Sequence, residues 1–280
     1  ENKEEKKRDW RTYEQQLMNR VKGAIRNLEP LIDEAIDFEV HREKGRKPEL
    51  ELKQKVIILL LKELFGESNR MMASMLAVFS LISGIDVSYK TVERLYSDPE
   101  VEMAIYNLHI LILKKKGVKN VDACGDGTGY SLTIRNHYAS EANRRKDKAK
   151  ESNAREAKAF VYSFKMLDLE SKMYVAYGMS LKSEKEAFDR AMEMLKHIDV
   201  EIDSVRLDKY YSFPSYVDRF GKAKVYVIPR KNATLRGSWK WKDTMKDFVD
   251  NTIPYLGQYY RRNNSESGFS VDKRWFGWKV

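Results

Sequence analysis

The chain has little sulfur and little imidazole: one cysteine, Cys124, and 4 histidines among 280 residues. A single thiol excludes an internal disulfide and any multi-cysteine zinc site. Long apolar runs are missing too. The longest clearly apolar stretch, Val56 to Leu61, is far short of the ~20 residues that a bilayer crossing needs. The opening ENKEEKKRDW is polar throughout and lacks the apolar centre of a signal peptide. These absences predict an intracellular, cytoplasmic chain with no membrane partner. The chain opens without methionine and stops seven residues after Lys273, which reads as a fragment or a processed form.

Charge is what the chain has in quantity. Charged residues make up 34% of it, with 52 Lys+Arg against 42 Asp+Glu and a formal net charge of +10. Such a balance favours polyanionic partners, nucleic acid first. A hydrophobic content of 42% supports a real core, and 280 residues allow one large domain or two ordinary ones.

Three regions are expected. Residues 1–47 read as a charged amphipathic helical region. Trp10, Leu17, Val21, Ile25 and Leu28, then Leu31, Ile32, Ile36 and Phe38, suit one or two helices broken near Pro30. HREKGRKP (41–48) reads as a basic linker. Residues 48–116 read as a helical domain. ELKQKVIILLLKELF stops at Gly66, NRMMASMLAVFSLIS stops at Gly84, and Ser88 and Asp98 are placed to cap the helices that follow. The segment 69–82, the turn SGIDV and the segment 88–97 have the spacing of a helix-turn-helix. Its second helix would offer Tyr89, Lys90, Glu93 and Arg94 to DNA.

After Gly117 the periodicity changes to that of strands. VDACGDGTGYSLTI reads as a β-compatible run ending in its glycines, followed by a second short strand. AFVYSFKMLDL and SKMYVAYGMSL read as a hairpin, SEKEAFDRAMEMLKHI as a helix capped by Ser183, IDSVRLD as a strand, SFPSYVDRFG as a short helix and AKVYVIP as a strand. The segment 135–159 is polar and basic and reads as a surface segment. Residues 117–280 thus form an α+β or α/β unit in which a mixed sheet is flanked by helices. The order β-β-β-α-β-α-β with a terminal helix is, by analogy, that of ribonuclease-H-like domains.

Near the C-terminus stands YYRRNNSESGFSVDK, residues 259–273. Taken as one helix at ~100° per residue, it puts Tyr259, Arg262, Glu266 and Lys273 within roughly 60° of one another. A carboxylate flanked by cations suits a metal ion with a phosphate lying across it. Two aspartates upstream stand at strand ends: Asp126 in CGDGTG and Asp208 closing VRLD. Asp122 competes with the first and Asp203 with the second. Phosphodiester cleavage needs a nucleophilic water and stabilised charge on both attacking and leaving oxygens. Two Mg²⁺ ions held by carboxylates, with Mn²⁺ as a substitute, supply both.

The spacing Tyr-x2-Arg-x3-Glu-x6-Lys resembles the third catalytic block of DDE transposases, in the prokaryotic insertion-sequence branch named for those four residues. DGTG at 126–129 resembles the first block. The resemblance covers roughly residues 117–280. It implies a ribonuclease-H-like catalytic domain in which Asp126, Asp208 and Glu266 hold the metal and Tyr259, Arg262 and Lys273 grip DNA near the scissile phosphate. It also implies double-stranded DNA as partner, cleavage at terminal inverted repeats, attack of the freed 3′-OH on target DNA, a homodimer on DNA and a place at the nucleoid. Trp239 and Trp241, among Arg230, Lys231 and Arg236, are candidates for stacking on an unpaired base. Two other readings stand beside this one: a nuclease of the same fold without strand transfer, and an inactive transposase-derived DNA-binding protein.

Overall fold

The computed structural model describes residues 9–39, 49–131 and 160–276. The linker 41–48 and the basic segment 135–159 therefore lie outside the described residues. The chain divides into two compact units, Glu1–Lys115 and Lys116–Val280.

The first unit is helical. Helix α1 (Trp10–Ala35) starts where the Asp9 carboxylate accepts from the amides of Arg11 and Thr12. It runs unbroken through Pro30, against the expected break. Proline removes one amide and crowds the preceding turn. Ile32 and Ala35 carry the helix past that defect by packing against Val56, Ala104 and Leu108. Helices α2 (Leu52–Phe65), α3 (Asn69–Ser83), α4 (Tyr89–Arg94) and α5 (Pro99–Lys115) follow. Ser68 Oγ accepts from the Met71 amide at 3.1 Å and Ser88 Oγ from the Thr91 amide at 3.2 Å. Helix α3 stops at Gly84, whose φ of 68° belongs to the left-handed region that glycine enters at no steric cost. Met72 and Ala73 of α3, Val87 in the turn, Val92 of α4 and Leu95 beyond it share one core with Leu50 and Ile58.

The second unit is built on a five-stranded mixed sheet: β1 (Asn120–Ser131), β2 (Phe160–Asp168), β3 (Tyr174–Ser180), β4 (Glu201–Leu207) and β5 (Lys224–Tyr226). The order across the sheet is β3-β2-β1-β4-β5. The pairs β1–β2 and β2–β3 are antiparallel, and β1–β4 and β4–β5 are parallel. The glycines of β1 do not end it. Asp126 pairs with Lys165, Gly127 with Phe164 and Gly129 with Tyr162, so one 12-residue strand replaces the two short ones expected. Pairing along β2 outweighs the poor strand propensity of glycine.

Side chains alternate across the sheet. One face holds Phe164, whose ring meets Phe188 of helix α6 (Glu184–Lys196) at 5.0 Å. The other face holds Cys124, in a small core with Leu167, Leu169 and Tyr174, and Tyr226, in a core with Tyr255 and Tyr259. A short helix α7 (Pro214–Val217) follows β4, and β5 leads into α8 (Trp239–Asp250), α9 (Thr252–Tyr259) and α10 (Asn263–Phe276). Tyr255 ties α9 to the sheet, its hydroxyl accepting from the Val227 amide at 2.8 Å. The molecule is mixed α+β: a helical region, then a mixed sheet flanked by helices. No helix among the described residues is long and apolar enough to cross a membrane.

Candidate functional site

The site begins with a register. On the parallel neighbours β1 and β4, Gly125 stands level with Leu207. The next residue on each is an aspartate, Asp126 and Asp208. It is β4 that ends here, while β1 continues alongside β2, so Asp126 lies within its strand rather than at the end expected for it. Asp208 caps the 3-10 turn Lys209–Tyr211, its Oδ2 accepting from the Tyr210 amide at 3.0 Å. Asp126 Oδ1 accepts from the Gly127 amide at 2.8 Å.

One cation reaches both carboxylates. Arg262 Nη1 stands 3.2 Å from Asp126 Oδ2 and 3.6 Å from Asp208 Oδ1. Burial pushes the Asp126 carboxyl up to about 6; the Arg262 guanidinium and the Gly127 amide oppose that rise, and the carboxylates of Asp208 and Glu184 add to it. Asp126 is thus a partly desolvated acid beside a second acid, with one guanidinium between them.

Asp122, the competitor, sits two strand repeats earlier on the same face and is engaged elsewhere. It accepts from the Ser204 hydroxyl and pairs with Arg206 at 3.4 Å and Arg261 at 3.5 Å. The Ser204 hydroxyl leads in holding its carboxyl below the ordinary value, and the two arginines assist. Arg206 is fully buried. Its Nε donates to the Gln258 carbonyl at 3.2 Å and its Nη2 to Gln258 Oε1 at 2.8 Å. The network fastens α9 to β4 directly below the two site aspartates. Asp203 accepts from Asn120 Nδ2 at 3.3 Å, before β4 reaches the site.

The third block is not one helix. Tyr259 ends α9, Tyr260–Arg262 form a 3-10 turn, and Glu266 and Lys273 belong to α10. A 3-10 turn winds more tightly than an α-helix and ends the continuous α-helical hydrogen bonding, so no single ~100° step describes the segment. The turn aims Arg262 at the aspartates. Tyr259 is buried among Tyr226 and Tyr255, and its hydroxyl is shifted up by that burial. The side chains of Glu266 and Lys273 lie outside the described residues.

The remaining sequence candidates separate. Trp241 is a core residue, 2% exposed, with Nε1 donating to the Thr234 carbonyl at 2.8 Å. Trp239 is 79% exposed, with Lys242 Nζ 5.0 Å from its ring. In the first unit Tyr89, Lys90 and Arg94 are all exposed on α4. Arg70 stands 5.1 Å from the Tyr89 ring, and Lys90 pairs with Glu93 at 2.7 Å.

Glu184, the first residue of α6, went unnoticed in the sequence. Its Oε1 accepts from the hydroxyl of buried Tyr211, in the turn that Asp208 caps. It also fills the space beside Gly127, where a Cβ would stand 2.2 Å from that oxygen. The signal was an acid directly after a helix cap, which reads as ordinary helix-dipole chemistry until the tertiary contact is known.

Two carboxylates from adjacent strands that share a cation are hard oxygen donors, and they fit a divalent metal of the magnesium class. Among the described residues no group of three Asp, Glu, His or Cys side chains completes such a site.

No family model matches the chain, and no solved structure matches it. A relative does. Over 262 residues the chain is 42% identical to the probable transposase for insertion sequence element ISA1214 of Archaeoglobus fulgidus, a match spanning 93% of this chain and 77% of that protein. With that identity over nearly its whole length, the chain belongs to the family of insertion-sequence transposases.

Proposed function

We propose that the chain is a DDE transposase whose second unit is a ribonuclease-H-like catalytic domain. The observation that carries this reading is the pair Asp126 and Asp208, side by side on neighbouring parallel strands and sharing Arg262. The strand order β3-β2-β1-β4-β5, antiparallel on one side of β1 and parallel on the other, supports the fold assignment. Asp126, Asp208 and Glu266 would hold Mg²⁺, or Mn²⁺ in its place, which when bound stabilises negative charge on the attacking and leaving oxygens. The chain's own groups do the rest. Asp126 and Asp208 fix the oxygen donors on a rigid sheet, and Arg262 supplies a planar guanidinium that matches phosphate geometry. The 3-10 turn Tyr260–Arg262 orients that guanidinium, and the tyrosine core under Tyr259 holds the turn in place.

The partner in this reading is double-stranded DNA, as terminal inverted repeats and as target, bound by a homodimer. Helices α3 and α4 would act as a helix-turn-helix, with Tyr89, Lys90 and Arg94 exposed for contact. Trp239 is exposed and available to stack on a base, whereas Trp241 is buried and takes no part in that contact.

Strand transfer separates this function from simple hydrolysis. DNA ends pre-cleaved to a 3′-OH, carrying the inverted repeats that flank the coding sequence, are incubated with the protein, Mg²⁺ and a target plasmid. Joined products are expected. Nicking of the target without joining would favour a nuclease.

A further inference from the structure

Helix α10 has an awkward sequence. Its first turns read NNSESG, a run of Asn, Ser and Gly that costs roughly 0.5–1 kcal/mol per residue relative to alanine. Such a helix needs holding from outside. The β2–β3 hairpin supplies the hold at both ends of the stretch that carries Glu266.

At the start, Lys172 in the hairpin turn donates to Asn264 Oδ1 at 3.0 Å. Toward the far end, Asp272 Oδ2 takes Lys165 Nζ at 2.6 Å and the Tyr174 hydroxyl at 2.8 Å. Lys165 and Asp272 are 15% and 14% exposed, so solvent screens this pair far less than a surface one. Lys165 Nζ also lies 4.9 Å from the Tyr174 ring and 5.8 Å from the ring of buried Phe269. Between the two attachments the backbone comes close to the hairpin: a Cβ on Gly268 would stand 2.9 Å from the Tyr174 hydroxyl. On the sheet, Lys165 is the cross-strand partner of Asp126. The attachment point and the first acid of the site are therefore one ladder step apart.

We propose that Lys165, Tyr174 and Asp272 are positioning residues: they latch α10 to the β2–β3 hairpin and fix where Glu266 stands relative to Asp126 and Asp208. This rests on the transposase site proposed above. A slip of one residue along α10 would move Glu266 by ~1.5 Å and turn it by ~100°. Displacements near 1 Å cost on the order of 10²-fold in rate when they misplace a reacting group.

The test uses the full-length protein with D272N, Y174F and the exchange K165D/D272K, beside D126N and E266Q as reference variants. Three quantities are read: Mn²⁺ affinity by calorimetry, hydrogen exchange of the α10 amides, and cleavage as a function of Mg²⁺ concentration. D272N is expected to weaken Mn²⁺ binding about tenfold or more. It should also speed α10 exchange while the sheet amides stay protected, and shift the Mg²⁺ requirement of cleavage upward. Y174F, which removes one donor and keeps the ring, should move all three in the same direction by less. The charge exchange should recover part of the loss. Should D272N fail to fold, Y174F and the exchange decide the matter. Unchanged Mn²⁺ affinity and unchanged α10 exchange in folded variants would overturn the latch while D126N and E266Q remain inactive. Wild-type cleavage by D126N and E266Q would instead overturn the site itself.

Discussion

Asp126 is where burial and chemistry oppose each other. Its carboxyl titrates near 6 in the folded chain against 3.8 for the free group, with burial as the leading cause. Below 3.8 it is protonated whether folded or not and costs nothing. As pH rises from 3.8 to 6 the unfolded chain ionises first, so the folded state loses stability, by up to ~3 kcal/mol once the whole shift is expressed. Asp126→Asn removes that cost. In chelator, the variant is expected to melt higher than wild type above about pH 6, with the gain shrinking toward none below the free-group value. A gain that is constant with pH would assign the effect to packing. Arg206 is buried as well, and more of its donors are matched, by Asp122, Ser204 and Gln258. Arg206→Ala should cost about 3 kcal/mol in urea unfolding by stranding those partners. At this scale the sequence was partly readable. An aspartate after a β-run marked Asp208 correctly as the residue that follows β4, whereas Asp126, expected at a strand end, lies inside β1. The sequence already preferred Asp126 to Asp122 through DGTG at 126–129; the register adds the physical reason, giving Asp122 to Ser204 and Arg206 and leaving Asp126 to Arg262.

Elements were legible where caps and periodicity agreed. Ser68, Ser88, Asp98 and Ser183 each cap the helix expected after them. Helix α8 was overlooked although Ser238 caps it and Trp241, Met245 and Phe248 recur at helical spacing, because Thr234 to Gly237 reads as loop and tryptophan among cations reads as a surface. The third block was misread as one helix because sequence spacing does not reveal where hydrogen bonding tightens to 3-10. Glycine misled in β1, where Gly127 is required not to end a strand but to admit Glu184 and Tyr211. Gly127→Ala would place a methyl group 2.2 Å from Glu184 Oε1 and 2.7 Å from the Tyr211 hydroxyl. It is expected to destabilise the chain by about 1–3 kcal/mol in urea. It should also slow cleavage, because Tyr211 anchors the turn capped by Asp208. Stability equal to wild type would mean that Glu184 swings away freely and does not hold that turn.

For the whole molecule, charge and division of labour set the expectations. A chain of net charge +10 should bind DNA largely through phosphates, releasing counterions and weakening steeply as salt rises. If α4 reads the ends, Lys90→Ala with Arg94→Ala should erase preference for terminal repeats and lower the salt slope by about 2, with weak general binding retained. Preference undiminished in that variant would move end recognition into the second unit. The central claim concerns three carboxylates on two strands and one helix, and Glu266 is the member whose placement depends most on tertiary contacts. Wild type and Glu266→Gln are compared in parallel assays of DNA binding and Mg²⁺-dependent cleavage on terminal-repeat DNA. The substitution keeps shape and removes only the charge that a metal needs. Cleavage is expected to fall by roughly 10³-fold or more, while DNA affinity holds or rises with one negative charge gone. Cleavage at the wild-type rate would contradict the account.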